Sequence, residues 1–206
     1  KIVVVGASGT IITSMTGSSW TSRTSGTSND LKAVAFGNNL FVAVGKSGTI
    51  VTSTDGISWT QRTSGTTEDL DAIKFAKNTF VAVGQTILTS SNGTSWTETL
   101  NIGDNLYAIE GKNGAPGNSQ GYTFVAVGQS ILVSYNLGAT WTSKSLPQGA
   151  SNPLKAITKN TEYATDNSGI ISGVSGTFHT VYRRCSPYSQ SSSCISSGLS
   201  GVTHTV

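Results

Sequence analysis

The sequence predicts an all-β fold of repeated four-stranded antiparallel units, and three observations carry that reading. Charged residues make up only 11% of the 206-residue chain, against about 25% in an ordinary soluble domain, while Ser, Thr and Gly number 31, 29 and 24. Val, Ile and aromatic residues recur in short runs bounded by Gly, Asn and Asp, which is the pattern of strands and tight turns rather than of helices. The runs repeat: Trp20, Trp59, Trp96, Trp141 and Phe178 stand 39, 37, 45 and 37 residues apart.

Each unit spells the same four elements in order. A first strand reads Leu-x-Ala-Val or Leu-x-Ala-Ile, at Leu31 to Phe36, Leu70 to Phe75, Leu106 to Glu110 and Leu154 to Thr158. A second reads Phe-Val-Ala-Val-Gly at Phe41 to Gly45, Phe80 to Gly84 and Phe124 to Gly128, with Ile2 to Gly6 and Tyr163 to Asp166 as looser copies. The third is β-branched, at Thr10 to Thr13, Thr49 to Thr52, Thr86 to Thr89, Ser130 to Val133 and Gly169 to Ile171. The fourth starts at the recurring aromatic residue. Four short antiparallel strands in about 40 residues describe a propeller blade, whereas leucine-rich and β-helix repeats are too short to hold four.

The predicted fold is therefore a five-bladed β-propeller of four-stranded antiparallel blades, with residues 1–206 forming a single domain. The first unit starts with its second strand and lacks the Leu-x-Ala-Val element. Leu199-Ser-Gly-Val202-Thr-His-Thr-Val206 matches the spacing of Leu31-Lys-Ala-Val34. The C-terminal strand is thus expected to complete blade 1 and close the ring, removing two exposed sheet edges.

A turn motif precedes the aromatic residue: Ser53-Thr-Asp55-Gly56-Ile-Ser58-Trp59, Ser90-Ser-Asn92-Gly93-Thr-Ser95-Trp96 and Ser134-Tyr-Asn136-Leu-Gly138-Ala-Thr140-Trp141. These segments resemble the Asp-box, or bacterial neuraminidase repeat, of sialidases, sortilin-type receptors and photosystem assembly propellers. The resemblance implies a turn between strands three and four, in which Asp or Asn bonds backbone N–H groups and Gly takes a positive φ. It also implies that Trp inserts beside the neighbouring blade, and that these residues hold structure rather than ligand. The third box has the full family spacing with Asn for Asp, and the other two are one residue shorter. Ser14 to Trp20 carries Thr16 in the acidic slot, and Ser172 to Phe178 has lost both Asp and Gly.

An enzyme is not expected. A sialidase-like site needs an arginine cluster, but Arg23 and Arg62 fall on outer strands and Arg183 and Arg184 adjoin the cysteines. Glycoside hydrolysis needs two facing carboxylates within about 5 to 10 Å, and only Asp71 with Glu110, on neighbouring first strands, suits that. His179 and His204 belong to strands a blade's width apart, and no metal spacing or cofactor motif occurs. No metal and no cofactor are predicted.

The net charge of +3, from 13 basic and 10 acidic residues, leaves no phosphate-tracking patch, so nucleic acid is not an expected partner. No apolar run reaches the 18 or so residues of a membrane span, and no signal-type segment leads the chain. Cys185 and Cys194 flank an eight-residue polar loop and are expected to form a disulfide, pointing to an oxidising compartment. The expected setting is extracellular or cell-surface.

Propeller topology places the fourth-to-first and second-to-third connections on one face. Near its channel mouth the slot after each Leu holds Lys32, Asp71, Tyr107, Lys155 and Ser200. Lys32, Asp71, Tyr107 and Lys155, with Tyr188 on a face loop, are the candidate ligand residues. Two insertions, Gly111 to Tyr122 and Cys185 to Cys194, break the repeat on opposite faces and are candidate contact surfaces. The functional expectation is a non-catalytic interaction or adhesion module for a glycan or an extracellular protein. The alternatives are a self-assembling subunit of an extracellular filament or phage fibre, and a degenerate glycoside hydrolase.

Overall fold

The computed structural model describes residues 1–113, 122–145, 153–158 and 170–172. The chain divides into two compact units, Lys1–Val174 and Ser175–Val206, and every described strand lies in the first.

The first sheet orders β1 (Ile2–Val5), β2 (Ile11–Ser14) and β3 (Thr21–Arg23). The second orders β4 (Leu31–Gly37), β5 (Leu40–Gly45), β6 (Ile50–Ser53) and β7 (Thr60–Arg62). The third orders β8 (Leu70–Ala76), β9 (Thr79–Gly84), β10 (Thr86–Ser90) and β11 (Thr97–Asn101). The fourth orders β12 (Leu106–Asn113), β13 (Tyr122–Gly128), β14 (Ile131–Ser134) and β15 (Thr142–Lys144). A pair, β16 (Ala156–Thr158) and β17 (Ile170–Ser172), ends the series. All pairings are antiparallel. First strands pack on one another, β4 on β8, β8 on β12 and β12 on β16.

Burial accounts for the repeated spelling. Val42, Ala43 and Val44 in β5, like Val81, Ala82 and Val83 in β9, are fully buried, so both faces of the second strand are covered. Such a strand reads as a continuous apolar run instead of alternating. The outer strands β7 and β15 are largely exposed, and there the residues are Thr, Gln, Ser, Arg and Lys. Each core cluster lies between two successive sheets: Leu40 and Val42 meet Leu70 and Phe80, and Val81 and Val83 meet Leu106 and Phe124. The fully buried Phe80 and Phe124 each contribute about 1.5–3 kcal/mol of burial. The hairpins β4–β5 and β8–β9 turn on two positive-φ residues, Asn38-Asn39 and Lys77-Asn78, which matches the right-handed strand twist.

The closed five-bladed ring is corrected. The sheets contain three, four, four, four and two described strands, and none of them is closed. The first sheet has β1 as its inner edge among the described residues, and Ile2 and Val4 on that strand are 43% and 42% exposed. Leu199 to Val206 lies outside the described residues. Spacing alone suggested the match. It left out the side chains a first strand needs: Gly201 stands where the others have Ala33 and Ala72, and Thr205 where they have Gly37 and Ala76. What stands is a propeller-like series of antiparallel sheets.

Candidate functional site

At the start of each complete first strand the register slips by one residue, between Leu31 and Ala33, Leu70 and Ala72, and Leu106 and Ala108. The residues in the slip are Lys32, Asp71 and Tyr107. A β-bulge leaves its extra residue outside the ladder and re-aims its side chain, which is how repeated strands come to present unlike groups at one end. Lys155, before β16, places its Nζ 3.3 Å from the centroid of the Tyr107 ring, a cation–π contact. Asp71 is half-buried, and burial raises its carboxyl above the ordinary range while the ammonium charges of Lys32 and Lys155 oppose that rise. The four side chains thus form one electrostatically connected group.

The two carboxylates of the hydrolase alternative stand at different levels of their strands. Glu110 is gripped by Lys74 on the neighbouring first strand, with Nζ 2.8 and 3.1 Å from its two carboxylate oxygens, and its Oε1 also accepts the Gly111 amide at 2.8 Å. In the aligned strands Glu110 corresponds to Lys74, three residues beyond Asp71, or about 10 Å along the strand.

Other acids hold junctions between sheets. Asp30 Oδ1 accepts the Ser8 amide at 2.9 Å and its Oδ2 meets Lys46 Nζ at 2.8 Å, so that Lys46 first and the Ser8 amide second hold its carboxyl below the usual range. Asp69 Oδ1 accepts the Ser47 amide, also at 2.9 Å. Ser8 and Ser47 sit at φ 52° and 53° in matching 3-10 turns, Ala7–Gly9 and Lys46–Gly48, which the strand pattern alone did not reveal. Within the third and fourth sheets an amide side chain meets the backbone entering the first strand: Gln85 Oε1 accepts from Asp69 N at 3.4 Å and Gln129 Oε1 from Asn105 N at 2.7 Å.

In the first of the three turn motifs, Ser53 Oγ accepts from Gly56 N at 2.8 Å and donates to Asp55 Oδ1 at 2.9 Å. Asp55 Oδ1 also accepts the Ile57 and Ser58 amides at 2.7 and 2.9 Å, and these two amides, then Ser53, lower its pKa to about 2. Ser90, Asn92 and Gly93 repeat the arrangement, with Thr94 and Ser95 donating to Asn92 Oδ1, both at 2.9 Å. In the longer third motif, Ser134 Oγ accepts from Gly138 and Asn136 Oδ1 accepts from Thr140, both at 2.9 Å. Gly56, Gly93 and Gly138 all have positive φ. Each turn leans on the preceding sheet: a Cβ on Gly93 would meet Leu40 and Val42, and one on Gly138 would meet Val81 and Thr89. Trp59, Trp96 and Trp141 are half-buried, whereas Trp20, in the first unit, is 42% exposed. Its turn has no preceding sheet among the described residues on which to lean, so the expectation of burial in every unit is corrected there.

Two clefts of about 800 and 530 Å³ repeat on successive units. Both are lined by the same five-residue segment, Arg62 to Thr66 in one and Arg23 to Thr27 in the other. The arginine Nε donates to a Thr Oγ1 on the adjacent strand at 2.9 Å in each, to Thr52 and to Thr13, which fixes the guanidinium on its own sheet. Tyr188, Cys185, Cys194, His179, His204, Phe178 and Ser200 lie outside the described residues, as do residues 114–121 of the first insertion. Among the described residues no group of three or more His, Cys, Asp or Glu could hold a metal, and no helix is long and apolar enough to cross a membrane.

No family model and no curated protein matches the chain. Solved structures do. The chain is similar to a structure described as YCF48 bound to D1 peptide, with TM-score 0.54, 19% identity, and coverage of 75% of this chain and 52% of that one. It is similar to the WD40 β-propeller domain of Doa1, with TM-score 0.57, 11% identity, and coverage of 76% and 54%. It is also similar to a chain of a nidogen/laminin complex, with TM-score 0.50, 12% identity, and coverage of 77% and 65%. The chain spans about half the length of the first two. At these identities the likeness establishes a β-propeller fold related to propellers of several kinds, and the roles of individual residues rest on this chain's own geometry.

Proposed function

We propose that the chain is a non-catalytic, extracellular or cell-surface propeller of the Asp-box kind that binds a glycan or protein at the mouth formed by Lys32, Asp71, Tyr107 and Lys155. The observation that carries this is the Lys155 ammonium 3.3 Å above the Tyr107 ring, next to a bulge-borne Asp71 that both lysines address. An aromatic face, two cations and a carboxylate at one strand end supply stacking and charged hydrogen-bond partners to a polar ligand. Four other acids are spent on structure: Glu110 on Lys74, Asp55 on its turn, Asp30 and Asp69 on junctions. The structure bound to D1 peptide shows a peptide ligand for one similar propeller.

The test is binding of the intact chain to glycan and peptide arrays, with Tyr107→Ala and Lys155→Ala beside it. Retained melting temperature with at least tenfold weaker binding in both variants supports the reading. Undiminished binding in both overturns the placement of the site. The filament or fibre alternative draws on the hydroxyl-rich, weakly charged outer strands, and mass photometry of native material distinguishes the two: ordered polymers favour it, monomers the binding module.

A further inference from the structure

The larger of the two clefts is walled by three successive units and by polar groups alone. Asn29 comes from the loop entering β4, Arg62 and Glu68 from the end of β7 and the loop leaving it, and Glu98 and Asn101 from β11 on the next sheet. Every residue lining it is polar or Gly, with no aliphatic or aromatic side chain among them. Its volume of about 800 Å³ falls within the roughly 300–1,000 Å³ of ligand clefts. The walls are held from behind. Asn29 Nδ2 donates to Thr49 Oγ1 at 2.8 Å, Ser64 Oγ donates to the Thr66 carbonyl at 3.0 Å, and Thr66 Oγ1 accepts the Glu68 amide at 3.1 Å. Gly48 seats that loop so closely that a Cβ there would lie 2.1 Å from the Thr66 carbonyl oxygen. A cleft whose groups are fixed in advance loses little ordering entropy when it is filled.

The charges in this cleft are kept apart. Arg62 spends its Nε on Thr52, which leaves both Nη groups without a partner among the described residues. Glu98 Oε1 takes the Thr86 hydroxyl at 2.5 Å, which leaves its Oε2 open. Neither of them, nor Glu68, forms an ion pair among the described residues, although all three line one cleft. An anionic ligand would face Glu68 and Glu98, and a cationic one would face Arg62. A protein partner would find none of the well-packed, desolvated pockets from which interfaces draw most of their energy. A sugar hydroxyl, by contrast, both donates and accepts. A run of hydroxyls accepts from the Arg62 Nη groups while donating to the open carboxylate oxygens, so that one uncharged ligand makes charge-assisted hydrogen bonds to groups of both signs.

We propose that this cleft binds an uncharged oligosaccharide, laid across β7 and β11 with its hydroxyls shared between Arg62, Glu68 and Glu98. The cleft around Arg23 is the internal comparison. It repeats the arginine and the segment that follows, but no acidic residue and no residue of the next sheet is among those that line it. It therefore lacks the carboxylate acceptors and is a weaker site for the same ligand. The Arg62 cleft shares no residue with the mouth formed by Lys32, Asp71, Tyr107 and Lys155, so either assignment can fail without the other.

The probe is a set of neutral hexasaccharides, built separately of glucose, mannose, galactose and N-acetylglucosamine, titrated onto the intact 206-residue chain and followed by NMR at the arginine Nε–H signals. At least one series is expected to bind saturably and to shift the Arg62 signal more than that of Arg23. Arg62→Met, which keeps the aliphatic stem, and the isosteric Glu98→Gln should each weaken that binding by about tenfold or more with the melting temperature retained. Arg23→Met and Tyr107→Ala should leave it unchanged. Absence of saturable binding by every member of the set overturns the proposal. Tighter binding of a sulfated hexasaccharide than of its neutral parent makes the cleft an anion site and overturns it as well. Binding that survives both Arg62→Met and Glu98→Gln, or that is lost in Tyr107→Ala, places the sugar elsewhere and does the same.

Discussion

Trp96 donates its indole Nε1 to the Gly93 carbonyl at 3.1 Å, closing the turn that carries it, and Trp20 and Trp141 do the same with Gly17 and Gly138 at 3.1 and 2.9 Å. Trp59 departs from them. Its Nε1 is buried without a partner among the described residues, and in the same turn the Asp55 carbonyl accepts from Lys1 Nζ. A buried donor left without an acceptor is a standing cost, whereas a satisfied one stabilises by about 0.5–1.5 kcal/mol. Trp96→Phe should therefore lower stability by about that amount, and Trp59→Phe should be neutral or mildly stabilising apart from the volume change. Urea denaturation of the two variants measures the difference, and an equal loss in both contradicts the assignment.

Acid should act on one turn and spare its relatives. Asp55 titrates at about 2 in the folded chain against 3.8 for an ordinary Asp, because the Ile57 and Ser58 amides and the Ser53 hydroxyl stabilise the carboxylate. With the folded value depressed, its contribution is complete above about pH 4 and is lost as pH falls through about 2. Asp55→Asn should leave the neutral melting temperature nearly unchanged, since Asn92 makes the same two amide contacts with a neutral oxygen. It should also flatten the part of the acid melting profile between pH 4 and 2. A profile as steep as that of the parent removes Asp55 from the explanation.

Asp71 should behave in the opposite sense. Burial is the leading cause of its raised pKa, the Asp69 carboxylate adds to the rise, and the ammonium charges of Lys32 and Lys155 oppose it. The penalty is present once the carboxyl is ionised and absent below about pH 4, where it is protonated folded or unfolded. Asp71→Asn is expected to raise the melting temperature at neutral pH, with the gain vanishing as the pH drops below about 4. A gain that persists at pH 3 points to packing instead of charge.

The strand grammar was legible because both faces of the second strand are covered, so Phe-Val-Ala-Val-Gly survives in three units nearly unchanged. The bulges were not, since a slip between Leu31 and Ala33 shows only when both strands are paired; even so, the slot after each Leu stood out by its chemical variety. Lys74 with Glu110, and Asp30 with Lys46, escaped notice because their partners belong to different strands or units whose alignment is a tertiary fact. The exposure of Trp20 was hidden for the same reason. A box turn reads alike in every unit, while its burial depends on the sheet before it.

Because each box turn leans backward, Gly93 on Leu40 and Val42 and Gly138 on Val81 and Thr89, the series has a direction. Each of these box turns finds its supporting surface on residues already made. A chain leaving a ribosome or a secretion channel N-terminus first therefore presents each support before the piece that needs it, so assembly can keep pace with emergence. A chain released in the reverse order would have to hold its turns open until their platforms arrived.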